Sequence, residues 1–182
     1  MPCGEFETIL TLNKTKEKFN MKRNEKTLFV CRAAVIAAIY VALTYVARLL
    51  GLDSGMIQLR LSEMLCILPI FTTAAIPGLY VGCLCANLLT GAVWLDILVG
   101  PIATLIGALG TYALRKLPYL APAPAVISNA LIVPFVLAYG YGLEQAIPLM
   151  MLTVGIGEVL SVYGFGLALY FALRKRGTRW LS

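Results

Sequence analysis

Polar and basic residues fill the chain up to Thr27, and from Leu28 onward it is apolar with few interruptions. The first apolar run, Leu28–Leu50, is 23 residues long. At about 1.5 Å per residue it reaches about 34 Å, enough for one helix to cross a bilayer core of about 30 Å. Arg32 and Arg48 stand near its two ends, where long basic side chains reach the headgroups. A short polar loop, GLDSGMIQLR, follows, and then an apolar block of 31 residues, Leu61–Gly91. That block is long for one span and short for two, and Pro69, Pro77 and Gly78 interrupt it. Three further spans are expected. One covers Leu95–Leu114, closed by Arg115 and Lys116. The next covers Ala125–Tyr141, after a loop marked by Pro118, Pro122 and Pro124. The last covers Ile147–Leu173, stopped by RKRGTR.

The distribution of basic residues decides how the 61–91 block is divided. The clusters Lys14–Lys26 and Arg174–Arg179 both belong on the cytoplasmic side, which requires an even number of spans. Two short spans, hinged near Thr72–Gly78, satisfy this and put Arg115 and Lys116 inside as well. The expected fold is therefore an all-α integral membrane protein with six transmembrane helices and both termini cytoplasmic. A polar basic tail (1–27) precedes the membrane domain (28–176), and a short tail (177–182) follows it. Met21 opens MKRNEK, a second plausible start, so residues 1–20 are read as an upstream extension.

Composition agrees with this layout. Of the 182 residues, 60% are hydrophobic, above the usual range of a soluble domain. The net charge of +6 is carried at the ends, so it reads as membrane orientation and not as a nucleic-acid footprint. The sequence has no histidine, which excludes Ser-His-Asp and Cys-His catalysis and HExxH zinc sites. It has no GxxxxGK[ST] motif, so any ATP hydrolysis of the P-loop type belongs to another chain. Five cysteines without CxxC spacing read as buried thiols. No metal, cofactor or enzymatic activity is expected.

Small residues recur every four positions on several spans, letting helix backbones approach closely. Gly78, Gly82 and Ala86, then Ala103 and Gly107, and finally Gly157 and Ser161 suit packing inside the bundle. Ala34, Ala38 and Ala42 on the first span, with Ala33 and Ala37 beside them, make a longer stripe suited either to such packing or to a separate membrane subunit.

An ionisable side chain at the centre of a span costs about 2.5–3.5 kcal/mol on insertion scales, so each one is a functional candidate. Glu158, in VGIGEVLSVYG, lies about 16–18 Å from the outer end of its span, with no basic residue between Lys116 and Arg174. A structural carboxyl, protonated or paired across the bundle, is the competing reading. Arg60 and Glu63, in RLSE, either form an i,i+3 pair at a helix start or line the outer mouth of a cavity. Asn87, Trp94 and Asp96 cluster around one outer turn, where Trp94 also suits an interfacial anchor and Asp96 a helix cap. Asn129 suits an interhelical hydrogen bond or a ligand contact. Glu144 reads as a solvated loop residue. Carboxylates, amides and an indole together suit a planar, donor-rich small molecule that can carry a positive charge.

The stretches QLRLSEMLCILPIFTTAAIPGLYVGCLCANLLTG, WLDILVGPIATLIGALGTYALRK, APAPAVISNALIV and VGIGEVLSVYGFGLAL resemble the QueT family. The resemblance covers about residues 22–176, and the leading tail departs from it. Members are S components, the substrate-binding subunits of energy-coupling factor (ECF) transporters for queuosine precursors. The resemblance implies a six-helix protein that binds its solute from outside and docks on a T component with two ATPase subunits. It also implies docking through first-helix alanines, which match Ala34, Ala38 and Ala42. The implied substrate is a 7-deazaguanine such as preQ1, released inside when the docked subunit topples. Roles for Glu158, Glu63, Asn87, Asp96, Asn129, Trp94 and Arg60 come from the residues themselves. The alternative is a solitary proton-coupled secondary carrier or small channel with Glu158 as the coupling carboxylate, though no internal repeat is evident. An intramembrane enzyme built on Asp96 and Glu158 would need an aspartyl-type dyad, and the two sit in unlike contexts.

Overall fold

A computed structural model describes residues 3–52, 58–142 and 146–176, with backbone alone for 3–23 and 176. Glu144 and residues 177–182 lie outside the described residues. The described elements are all helical: α1 (Cys3–Leu49), a 3-10 helix (Leu61–Ile70), α2 (Ala75–Leu89), α3 (Trp94–Ala113), α4 (Ala123–Gly140), α5 (Ile147–Glu158), a π-helical segment (Val159–Gly166) and α6 (Leu167–Arg176). The last three run on as one rod.

Among the described residues, four helical stretches are long and apolar enough to cross a membrane: Asn24–Leu49, Trp94–Ala113, Ala123–Gly140 and Ile147–Lys175. The 61–91 block forms the two shorter helices, separated at residues 71–74. At about 2.0 Å per residue the 10-residue 3-10 helix is about 20 Å long, and the 15 residues of α2 give about 22 Å. They form a hairpin. Gln58, Arg60 and Ser62 share one cavity with Asn87 and Thr90 at the end of α2 and with Arg48 at the end of α1. Thr72 and Thr73, at the hairpin turn, share another with Glu25, Arg32 and Arg115. Pro77 falls in the first turn of α2, where a helix needs no backbone donor.

Two helix ends are closed by glycine in the left-handed region. Gly51 (φ 70°) follows α1 and Gly91 (φ 69°) follows α2. In each, the next residue's amide reaches back to the helix: Leu52 N–H donates to the Ala47 carbonyl and Ala92 N–H to the Asn87 carbonyl, both at 3.0 Å.

The core is built by close backbone approach. A Cβ at Gly78 would lie 2.8 Å from the Ala33 carbonyl oxygen, and one at Gly82 would lie 2.8 Å from Tyr40 Cβ. Gly107 meets Ala125 in the same way, joining α3 to α4. The 3-10 helix is inserted among α1, α3 and the π-helical segment, and its Leu65, Cys66 and Leu68 bury against Ile36, Tyr40, Leu79 and Cys83. Val133, Leu137, Met150 and Val154 join α4 to α5. The alanines of α1 divide between two faces. Ala33 and Ala37 turn inward against α2, whereas Ala34, Ala38 and Ala42 are exposed.

Candidate functional site

Where the C-terminal ends of α1 and α2 meet the start of α3 and the end of α4, the bundle holds a cavity of about 410 Å³. Its lining includes Tyr40, Gln58, Arg60, Asn87, Asp96 and Tyr141. Asp96 sits in the first turn of α3, where the helix dipole favours an anion. Its Oδ2 accepts from the Tyr141 hydroxyl at 3.3 Å, and its backbone carbonyl accepts from Asn87 Nδ2 at 2.8 Å. Its Oδ1 is buried without a hydrogen-bond partner among the described residues. Burial, followed by the Asp96 charge, holds the Tyr141 phenol above its ordinary range, so it remains a donor. Gly100 makes room for this pair, since a Cβ there would lie 2.8 Å from Asn87 Nδ2 and 3.0 Å from Asp96 Oδ1.

Beneath the lining lies a second polar layer. Glu63 is 0% exposed and both of its oxygens are engaged. Tyr40 donates its hydroxyl to Oε1 at 2.5 Å, and Cys66 donates its thiol to Oε2 at 3.0 Å. Glu158 is 2% exposed at the last turn of α5. Among the described residues, Glu158 Oε2, Asn129 Nδ2 and Ser161 Oγ find no hydrogen-bond partner. Gly157 lets the Gln58 carbonyl press against the helix beside Glu158, at a distance no side chain would allow. Arg60 belongs to both layers. It lines the cavity, and its guanidinium lies within electrostatic reach of Asp96, Glu158, Tyr40 and Glu63.

The expected site residues thus separate by depth. Arg60, Asn87 and Asp96 line the cavity, while Glu63, Asn129 and Glu158 lie beneath it. Trp94 is 69% exposed and does not line the cavity. Tyr40, Thr44, Gln58, Ser62, Thr90 and Tyr141 line it without having been singled out from the sequence. Tyr40 reads as a packing aromatic and Tyr141 as an interface marker, and neither type announces a ligand contact. Among the described residues no group of three His, Cys, Asp or Glu side chains is placed to hold a metal ion.

The sequence model of the family described as "QueT transporter" matches residues 30–175. The chain belongs to the QueT transporter family. A curated relative, "Queuosine precursor transporter QueT" of Lactococcus lactis subsp. cremoris (strain MG1363), is 36% identical over 84 residues, which make up 46% of this chain and 49% of the relative. The chain therefore spans about half the length of this curated relative. No solved structure matches it. A QueT family chain with four helices of spanning length is a multi-pass protein of the cell membrane.

Proposed function

We propose that this chain is the S component of an ECF importer and that its cavity captures a queuosine precursor, a 7-deazaguanine of the preQ1 type. The observation that carries this reading is the charge around the cavity of a QueT chain. The carboxyls of Asp96, Glu158 and Glu63 all lie within electrostatic reach of the Arg60 guanidinium, and Arg48 is the other basic residue in the described lining. A 7-deazaguanine offers a planar N1–H and 2-amino edge, which pairs with a carboxylate, and preQ1 adds an ammonium group. Asp96, with one oxygen unpartnered, is the proposed direct contact, supported by Asn87 and Arg60. Glu63 and Glu158, with Asn129 beside Glu158, form the buried layer within electrostatic reach of Arg60. The volume of about 410 Å³ falls within the ordinary range of small-molecule sites, about 300–1,000 Å³.

Docking on the T component is assigned to Ala34, Ala38 and Ala42. Their support is exposure: they sit on the face of α1 turned away from the bundle, and the apolar part of α1 is the least buried of the four spanning helices. Both ends of the chain are placed in the cytoplasm, with the cavity opening outward. Two ATPase subunits then drive release of the solute inside.

The test is reconstitution in liposomes. Uptake of radiolabelled preQ1 is expected only when the T component and ATPases are present with ATP inside. Uptake by the chain alone from a proton gradient would replace this reading with a solitary carrier.

A further inference from the structure

At the opposite end of the bundle lies a second cavity, of about 300 Å³. Its walls are of two kinds. Phe29 from α1 and Pro69, Ile70 and Phe71 from the hairpin turn are apolar; Arg32, Arg115, Thr72 and Thr73 are polar. Glu25 also lines it. Arg115 is positioned by stacking, its guanidinium lying 4.2 Å from the centre of the Tyr112 ring.

Depth decides what can reach this cavity. The 20 residues of α3 at about 1.5 Å each give about 30 Å, the thickness of the hydrocarbon core. Asp96, in the first turn of α3, lies at one membrane surface, so Arg115, just past its last residue, lies at the other. On this placement the cavity lies at the level of the lipid phosphates. Lys26, Lys116, Arg174 and Lys175 are exposed at the same end and draw anionic lipid toward it.

We propose that this cavity is a binding site for the headgroup of an anionic phospholipid. Arg115 holds the phosphodiester, the Thr73 hydroxyl donates to it, and the apolar wall of Phe29, Ile70 and Phe71 covers the glycerol and the first carbons of the acyl chains. A free phosphate ion has the same charge chemistry but leaves that apolar wall uncovered, which favours the lipid. The site is separate from the outer cavity and does not depend on what the outer cavity binds.

Native mass spectrometry of the full chain, released from nanodiscs of equal phosphatidylglycerol and phosphatidylcholine, tests this. Phosphatidylglycerol should be retained preferentially. Arg115→Gln should lower that preference about five-fold, the scale of one basic residue near an anionic surface. Glu25→Gln should raise it, which a folding defect would not do. Melting temperatures of both variants, expected to match the parent, separate lipid binding from misfolding. Equal retention of the two lipids by the parent chain would overturn the proposal, as would no change in either variant. Displacement of the lipid by 50 mM inorganic phosphate would assign the site to a soluble anion instead.

Discussion

Glu63 shows how a single charge organises this protein without touching the cavity. A buried carboxylate needs donors, and Tyr40 and Cys66 supply one for each oxygen. Tyr40→Phe leaves Glu63 Oε1 without its donor and is expected to destabilise the chain by about 1–3 kcal/mol. The check is the thermal midpoint in detergent, where Tyr45→Phe, at an exposed hydroxyl, should cost less. Gly100→Ala acts on the cavity instead. Its Cβ meets Asn87 Nδ2 and Asp96 Oδ1, both ends of side chains, so the fold should hold while ligand affinity falls several-fold in a calorimetric titration. Glu63, Asn129 and Glu158 stand out in the sequence because polar groups in apolar runs are costly. Tyr40, Gln58 and Tyr141 do not, because aromatics in spans read as packing and a loop glutamine reads as solvated. Trp94 fits two roles by residue type, and its exposure at the start of α3 matches the interfacial anchor better than a ring stacked inside the cavity.

Helix ends and interruptions are the most legible elements of this chain. Gly51 and Gly91 mark the ends of α1 and α2, as glycine after an apolar run leads one to expect. The odd length of the 61–91 block, with its prolines, foretells two short helices, and the break comes at residues 71–74. The 3-10 winding of the first helix and the π-helical segment after Glu158 carry no periodic signal. They depend on tertiary contacts, such as Met64 packing on Gly166, that no local pattern encodes. The alanines of α1 separate only in three dimensions, and this yields a contrast. Gly82→Val drives a branched side chain into Tyr40 and Ala37 and is expected to cost about 1–3 kcal/mol or prevent assembly of the hairpin. Ala38→Val, on the exposed face, should leave the melting temperature within about 1 °C of the parent's.

Across the whole molecule, two ends with different chemistry emerge. One gathers Asp96, Asn87, Arg60 and the buried carboxyls around a cavity with Arg48 at its edge; the other carries most of the exposed basic residues that the structure describes. The segregation of charge along the sequence foreshadows this polarity, but not the depth at which each side chain settles. The proposed docking face makes its own prediction. Ala38→Trp should leave solute binding intact and reduce ATP-driven uptake by at least about tenfold, because an indole holds two packed helices apart. Uptake at the parent rate would remove the α1 face from docking.

The most direct measurement is calorimetric titration of the purified chain, without partner subunits, with preQ1, preQ0, queuine and guanine, alongside Asp96→Asn and Glu158→Gln. The account predicts tight one-to-one binding of preQ1, weaker binding of the neutral nitrile preQ0, and a loss of at least about tenfold in affinity in Asp96→Asn, the scale of one charged hydrogen bond. Absence of binding to all four solutes, or preQ1 binding unchanged in both variants, would contradict it.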